Sequence, residues 1–334
     1  MITDTRHKII KYIRYHGQAR AQDIYETFRI SRVAAHKQLN KLLEEGLIVR
    51  VGKPPVVFYT IPPAAAVTKA SETEQLSEYE KQVIDTNFLS ITPDGRLLYG
   101  MTGFVYWTQN YQKNKSIKVV ADEYIDIIQN QKKLFSPGGW IDATSKLLET
   151  FQKTPITHLL FEDIYSYRTF GRTKLAKLVM YAKQTGERLL IDQIGDLAKP
   201  IIEKIIKKYH IEAVVFIPPT VPRPLQFMDE LEFRLKLKLP KIELVKVIPG
   251  DIPIPQKTLV SLDERIVNAR DSIYLKSNKE FSYENVLLID DVAGSGASFN
   301  ETAKKLKNSN IGYGNMIAFG LVGNIKGYDV IREI

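Results

Sequence analysis

Apolar residues in the first 62 positions recur at the spacing of amphipathic helices. Three sets follow this spacing, namely Ile9, Ile10 and Ile13, then Ile24 and Phe28, then Val33, Leu39, Leu42 and Leu43. Such spacing puts apolar side chains on one face of a helix, and Gly46 is placed to end the third helix. Two runs rich in β-branched residues flank Gly52 to Pro55. The pattern predicts three short helices and a hairpin over residues 1–62.

The apolar pattern is interrupted at residues 63–75, where Pro, Ala, Ser and Thr dominate and aromatic residues are absent. This composition predicts a linker, so that the flanking domains move independently. Residues 76–155 then predict two strands joined by a turn at Pro93 to Gly95, and a helix in VVADEYIDIIQNQKKLF. We expect an α+β connecting segment. Its aromatic alternation fits either a dimer surface or half of a core, and involves Tyr99, Phe104, Tyr106 and Trp107.

From residue 156 to residue 334, apolar runs of strand length alternate with helical patterns. The predicted strands are THLLFEDI, AVVFIPP, IELVKVI and VLLIDDV, with helices near 172–184 and 196–208 and a further helix before IELVKVI. Such alternation predicts an α/β domain around a largely parallel sheet. Ligands of these sheets bind at the carboxyl ends of the strands, and Asp290 and Asp291 stand at one such end.

The stretch VLLIDDVAGSGASF, residues 286–299, carries the clearest chemistry of the chain. Its small residues let a ligand approach the backbone, and successive amides at the start of the next helix can bind a phosphate. Ser295 and Ser298 add hydroxyl donors. Asp290 and Asp291 are acceptors that can hold both hydroxyls of a ribose if the phosphate is its 5′-phosphate. A P-loop would need Lys after its last glycine, and a dinucleotide loop would have its acid about twenty residues downstream.

The segment LLIDDVAGSGAS resembles the phosphoribosyl pyrophosphate (PRPP) signature of type I phosphoribosyltransferases. Upstream, the chain is similar to the landmarks of the ComF-type branch, at Pro255, Gln256, Leu259, Ser261, Glu264, Arg265 and Asn268. The likeness covers approximately residues 158–323 and implies a type I phosphoribosyltransferase-like α/β fold. By that resemblance Asp290 and Asp291 would hold the ribose hydroxyls. The 5′-phosphate would lie on Ala293, Gly294, Ser295, Gly296, Ala297 and Ser298.

The resemblance also implies a pyrophosphate site and a metal. The turn IPPTVPRP would bind the pyrophosphate, with Arg223 as its cation, and Mg²⁺ would be held mostly by oxygens of PRPP and by water. The Pro-rich stretch PGDIPIPQKTLVSLDER is either a lid that brings Lys257 and Arg265 to the pyrophosphate or a plain surface loop. Two features depart from the branch: the chain has no cysteine for a zinc ribbon, and no arginine-rich run follows the first strand.

Charge changes the picture of the first domain. The chain carries a net charge of +9, and residues 1–62 hold eleven Lys and Arg against five Asp and Glu, or +6 of that total. This excess favours a polyanionic partner. Ser31 is a predicted N-cap, and the helix after it carries polar and basic side chains on one face. The expected contacts to duplex DNA are Ser31, Arg32, His36, Lys37, Asn40 and Lys41, with Arg50 and Lys53 on the hairpin.

Over about sixty residues this first domain resembles the winged helix-turn-helix of bacterial and archaeal regulators. The resemblance implies duplex DNA as a partner and a homodimer that contacts two half-sites, while the same fold can also mediate protein contacts. Three functions fit: a DNA-binding regulator that senses PRPP or a nucleotide, an active phosphoribosyltransferase localised by its winged helix, and a nucleotide-consuming defence effector that docks on nucleic acid. We expect the first. Sensing and catalysis need the same PRPP site, so the sequence leaves open whether the chain is an enzyme.

Hydropathy and cysteine usage bear on the compartment. The longest apolar runs are shorter than a membrane span, and the first residues are too interrupted by charge for a signal peptide. We therefore expect a cytoplasmic protein without membrane contact. The absence of cysteine excludes disulfides and thiolate metal sites and agrees with a reducing compartment.

Overall fold

The computed structural model describes residues 4–61, 75–167, 169–276 and 281–325. The predicted linker, apart from Gln75, lies outside these described residues. The chain divides into two compact units, one formed by residues 1–77 with 116–118 and the other by residues 78–115 with 119–334. The second unit contains an α/β domain together with most of the segment predicted as a connector.

The first unit contains three helices and a two-stranded antiparallel hairpin. Its elements are α1 (Asp4–His16), α2 (Ala21–Phe28), α3 (Arg32–Glu44), β1 (Val49–Lys53) and β2 (Val56–Thr60). The core consists of buried aliphatic side chains from all three helices, together with Tyr59 of β2. The backbone of Tyr59 also pairs with that of Ala19. The three helices and the hairpin predicted from apolar spacing are therefore present.

One residue of α3 departs from the predicted core. The spacing predicts Val33 on the buried face, but its side chain is 79% exposed. The buried residues of this helix are Ala35, Leu39 and Leu42. Val33 precedes Ala35 by two residues, which is about 200° around an α-helix, so it lies on the opposite side. Val33 therefore belongs to the solvent-facing surface of α3.

The second unit begins with an α+β region that has an aromatic core. It contains α4 (Glu78–Asn87), β3 (Leu89–Ile91), β4 (Leu97–Tyr99), α5 (Gly100–Tyr111) and α6 (Ile117–Lys132). Strands β3 and β4 form the predicted hairpin, and α6 covers most of the predicted helix. The ring of Phe104 lies 5.1 Å from that of Phe88 and 5.7 Å from that of Tyr124, measured between centroids. Phe104 thus packs inside the unit, which favours the core alternative for this residue.

A five-stranded sheet forms the centre of the second unit, in the order β5-β6-β13-β12-β9. Its strands are β5 (Ile141–Asp142), β6 (Ile156–Ile164), β9 (Ala213–Phe216), β12 (Tyr283–Ala293) and β13 (Gly312–Gly323). Four of them are parallel, and β5 pairs antiparallel with β6 at one edge. The predicted α/β class with a largely parallel sheet is confirmed. Because β5 lies before residue 156, the segment predicted as a connector contributes a strand to the sheet.

Helices cover both faces of this sheet. One face is packed by α8 (Lys174–Thr185), α9 (Arg188–Lys208) and α10 (Phe227–Leu235), and the other by α7 (Thr144–Thr150), α11 (Leu262–Ser272) and α12 (Ala297–Asn308). Alternate residues of β12 belong to the two cores. Leu287 and Ile289 lie in the first, and Val286 and Leu288 lie in the second. A strand buried on both faces requires a continuous apolar run, which explains the VLLI sequence.

Only the first residue of the predicted strand IELVKVI hydrogen-bonds to the central sheet, where Ile242 N donates to Val214 O of β9 at 2.9 Å. Its middle residues form β10 (Leu244–Lys246), which pairs antiparallel with β11 (Ile273–Leu275) in a separate two-stranded sheet. Val245 is 39% exposed, so one face of β10 is open to solvent, unlike a central parallel strand. Another short pair, β7 (Ser166–Tyr167) and β8 (Gly171–Arg172), follows β6 along the chain. Among the described helices, none combines the length and apolar character of a membrane span.

Candidate functional site

The loop between β12 and α12 lies at the carboxyl edge of the sheet, where ligands bind in parallel α/β folds. The N-cap of α12 is Gly296, whose φ of 80° is in the left-handed region that favours glycine. The amide of Asn300 donates to Gly296 O at 2.8 Å and closes the first turn. The preceding amides, at Ser298 and Phe299, have no partner within the helix. These amides, with the positive end of α12, form a site for an anion.

Residues of α7 and the residue after it pack against this loop. Sequence patterns had indicated no functional residues in α7. A Cβ atom on Gly296 would lie 3.1 Å from Leu147 Cδ1 and 3.3 Å from Phe151 Cε2, so the backbone here rests directly on apolar side chains. Lys146 is only 4% exposed. Its Nζ donates to Gly294 O at 3.0 Å and to Asn324 O at 2.7 Å. Lys146 therefore links the loop between β12 and α12 to the end of β13.

The two predicted ribose acids occupy different environments. Asp290 is half-buried, while Asp291 is 8% exposed and forms an ion pair with Lys183 from the last turn of α8. The pKa of Asp290 is raised well above its ordinary value, first by burial and then by the charge of Asp291. Burial alone would lower the pKa of Lys183, but its contact with Asp291 raises that pKa above the usual range. Lys183 is therefore charged, and sequence patterns did not identify it.

Further cations line the same cavity from other elements. Arg223 lies after β9 with an exposed side chain, and its positive charge acts on Lys183. Lys246 extends from β10, and burial lowers its pKa to about 8, although the charge of Asp290 acts in the opposite direction. Lys246 is a second cavity residue that the sequence did not indicate. The cavity thus combines several positive charges with the loop at the start of α12.

The Pro-rich stretch predicted as a lid or surface loop folds into a short 3₁₀ turn, Gln256–Thr258, followed by α11. Arg265 lines the cavity but is 7% exposed, and its Nε and Nη2 donate to Leu259 O at 3.1 and 3.0 Å. Gln256 Nε2 in turn donates to Arg265 O at 3.2 Å and to Asn268 Oδ1 at 3.3 Å. The landmark residues of this stretch therefore contact one another. The side chain of Lys257 lies outside the described part of the chain.

The cavity has a volume of about 310 Å³, and apolar side chains form part of its wall. This apolar part consists of side chains from α8 and α10, with Tyr165 after β6, and includes Val179, Met180, Phe227 and Met228. Within the described residues, no cluster of three or more acidic or histidine side chains is arranged to bind a metal. Asp290 and Asp291 are hard oxygen ligands, so the cavity fits Mg²⁺ only if ligand oxygens and water complete its coordination.

A separate group of buried polar side chains lies at the end of β6. Glu162 is 9% exposed, and its Oε2 has no hydrogen-bond partner among the described residues. Burial, with the charge of Asp163, raises the pKa of Glu162 to about 8. Asp163 accepts a hydrogen bond from Gln131, and burial raises its pKa to about 6. Neither acid lines the cavity described above.

In the first unit, the predicted DNA contacts share the exposed face of α3. The side chains of Arg32, His36, Lys37, Asn40 and Lys41 are exposed, and so is Val33. Ser31 Oγ accepts a hydrogen bond from Ala34 N at 3.1 Å, which confirms its role as N-cap. On the hairpin, Arg50 lies 5.9 Å from the Tyr59 ring centroid, and Lys53 is exposed at the end of β1. The exposed face of α3 thus carries three basic side chains, the imidazole of His36 and the amide of Asn40.

The chain matches no protein-family model and no curated protein. The likeness to phosphoribosyltransferases and to winged regulators therefore rests on the motifs of this sequence. What the second unit brings together is nevertheless specific: a helix N-terminus, an acid pair and several cations around one cavity.

Proposed function

We propose that this chain is a DNA-binding regulator whose second unit binds PRPP or a related nucleotide. The observation that carries the proposal is the composition of the cavity. Its phosphate loop, its acid pair and its cations line a single space at the carboxyl edge of a parallel sheet. Each of these groups matches one part of a phosphorylated ribose that also carries a pyrophosphate.

The 5′-phosphate is assigned to the loop of residues 293–298. Amides at the start of α12 donate hydrogen bonds toward the cavity side of the loop, and the helix dipole adds positive potential there. The hydroxyl groups of Ser295 and Ser298 supply further donors. Leu147 packs against Gly296, and Lys146 donates a hydrogen bond to Gly294 O. These contacts order the loop in the absence of a ligand. A preformed site loses less conformational entropy on binding.

The ribose hydroxyls are assigned to Asp290 and Asp291, which directly precede the loop. Carboxylates accept hydrogen bonds from vicinal hydroxyls, and a charge-assisted bond is stronger than a neutral one. The pyrophosphate is assigned to the side of the cavity where Arg223 lies. When PRPP is bound, Mg²⁺ would neutralise part of the pyrophosphate charge, with Asp290 and Asp291 as the protein oxygens available to it.

The first unit supports the DNA-binding part of the proposal. Its three helices and hairpin match the arrangement of a winged helix-turn-helix, with α3 as the recognition helix and the β1–β2 hairpin as the wing. Basic side chains on α3 would neutralise DNA phosphates, while His36 and Asn40 would reach base edges. A homodimer would supply two such helices for two half-sites, which is the usual arrangement for these regulators.

An active phosphoribosyltransferase is a second candidate, and the apolar wall of the cavity favours it. A polyanion does not need Val179, Met180 or Phe227, whereas a planar base would pack against them. The departure from the arginine-rich run of related enzymes predicts slow or absent turnover with common bases. Release of pyrophosphate from PRPP, measured with a panel of bases and amines, distinguishes the candidates. Turnover of roughly 1 to 1,000 per second would make the chain an ordinary enzyme.

Calorimetric titration of the full chain with PRPP and Mg²⁺ tests the ligand assignment. Replacing both acids, Asp290→Asn with Asp291→Asn, should weaken PRPP binding by about 2–4 kcal/mol, because two charge-assisted hydrogen bonds become weaker neutral ones. Asp126→Asn on the exposed surface of α6 is the matched control and should leave the affinity unchanged. The assignment is wrong if the wild-type chain does not bind PRPP, or if the double variant binds it equally well.

A further inference from the structure

The ion pair between Lys183 and Asp291 joins two residues that line the cavity, and it occupies one of the two proposed ribose acceptors. Asp291 lies near the end of β12, and Lys183 lies in the last turn of α8. The carboxylate side chain is 12% exposed and the lysine side chain 34% exposed. The carboxylate is therefore largely enclosed, and the lysine is the more accessible partner. Lys183 contacts Oδ2 of this carboxylate, so a hydroxyl donor that approaches that oxygen meets the ammonium.

A ribose hydroxyl can bind Oδ2 of Asp291 only if it shares or replaces the lysine contact. Replacement leaves a charged ammonium in a partly enclosed cavity, which costs free energy unless another anion compensates it. While the ion pair is intact, the charge of Asp291 outweighs burial and holds the pKa of Lys183 above its usual range. The nearest new anion in an occupied cavity is the ligand itself.

Arg223 shows which part of the ligand would receive the released ammonium. Both cations line the cavity, and the positive charge of Arg223 acts on Lys183. The pyrophosphate is assigned to the side of the cavity where Arg223 lies. The aliphatic stem of Lys183 lies next to Val179 and Met180 on α8, which lets the head group move while its stem stays against an apolar wall.

We propose that Lys183 transfers from Asp291 to the pyrophosphate when PRPP binds, and that this exchange makes the cavity selective for ribose phosphates that carry a pyrophosphate. Ribose 5-phosphate breaks the same ion pair but offers no anion at the sugar's first carbon to replace Asp291. PRPP offers one, and its negative charge also relieves the repulsion between Lys183 and Arg223. Lys183 is thus a specificity-determining residue, a role that rests on the proposed function of the cavity.

The test compares two ligands with the full chain in the presence of Mg²⁺, namely PRPP and ribose 5-phosphate, by calorimetric titration. Lys183→Met keeps an apolar stem and removes the charge, so PRPP affinity should fall about 10- to 100-fold, the effect of one charge-assisted contact. Ribose 5-phosphate affinity should stay equal or rise, because Asp291 no longer has a competing partner. Lys183→Arg should retain most of the preference for PRPP, since it retains the charge.

Lys207→Met, an exposed lysine on α9, is the matched control and should change neither affinity. The proposal is overturned if Lys183→Met weakens both ligands by the same factor, which indicates a purely structural role. It is also overturned if PRPP affinity is unchanged or rises, which makes Lys183 a competitor only. If the wild-type chain binds neither ligand, the proposed function itself fails, an outcome distinct from binding without a change in selectivity.

Discussion

At the scale of single residues, the buried carboxyl of Glu162 has a measurable consequence for stability. Its pKa is raised from an ordinary value of 4.5 to about 8, because burial disfavours the charged form and Asp163 adds repulsion. Between these values the folded chain keeps a proton that the unfolded chain has lost. The folded state then binds more protons, so its free energy of unfolding falls as pH rises through this window.

We expect the wild-type chain to lose on the order of 3 kcal/mol of stability between about pH 5 and pH 8 through this group. Glu162→Gln removes the titration and should flatten the pH dependence in that window. Urea denaturation of both proteins at several pH values measures the effect. Glu203→Gln, an exposed glutamate on α9, is the control and should follow the wild type. Parallel curves for wild type and Glu162→Gln would contradict the prediction.

At the scale of elements, the short helix α7 links stability to ligand binding. One side of this helix packs against the loop between β12 and α12, and the other side faces solvent. Leu147 is 1% exposed and would contact a Cβ on Gly296, whereas its neighbour Leu148 is 58% exposed. These two leucines are adjacent in sequence and chemically identical, so they separate the effect of loop support from the effect of residue type.

Leu147→Ala should lower the free energy of unfolding by about 2–5 kcal/mol, because it leaves a cavity beneath the loop. It should also weaken PRPP binding in conditions where the chain stays folded, since the amides of the loop lose their support. Leu148→Ala should change stability by less than about 0.5 kcal/mol and leave binding intact. Denaturation and calorimetry on both variants measure these effects. Equal losses in the two variants would show that α7 does not support the loop.

At the scale of the whole molecule, the proposed regulator requires coupling between the two units. A ligand shifts DNA affinity only if it binds two arrangements of the protein with different free energies. Linkage then requires that DNA shift the affinity for the ligand by the same factor. The chain divides into two units, so the coupling free energy between them has to be measured on the full chain.

We expect PRPP with Mg²⁺ to change the affinity for a duplex selected from a random-sequence library by about 5- to 150-fold, the usual range of allosteric coupling. Fluorescence anisotropy measures this change, and calorimetric titration of PRPP with and without the duplex measures the reciprocal one. Arg32→Ala with Lys37→Ala should weaken DNA binding and reduce the dependence of log affinity on log salt by about 2, with PRPP affinity unchanged. If PRPP affinity is the same with and without DNA, the units work independently and the sensor model fails.

Much of the element pattern was predictable because it depends on neighbouring residues. Helical spacing predicted α3, and strand-length runs around Pro93 to Gly95 predicted the β3–β4 hairpin. The failures have physical reasons. Val33 fits a helical series by spacing alone, yet its angle around α3 relative to Ala35 puts it on the solvent side. IELVKVI has the composition of a core strand, but whether a strand joins a sheet depends on partners that are remote in sequence.

The sequence by itself determined the loop of residues 293–298 and the acid pair before it, because both are contiguous and their chemistry depends on residue types at fixed short spacing. It also determined the α/β class and the basic face of α3. Only the tertiary structure decided which side chains surround that loop. Lys146 reaches Gly294 across 148 positions of sequence, and Lys183 reaches Asp291 from another helix. Such contacts form when helices that are distant in sequence pack on the two faces of the sheet and meet at one edge. Local sequence patterns do not predict which distant helices meet.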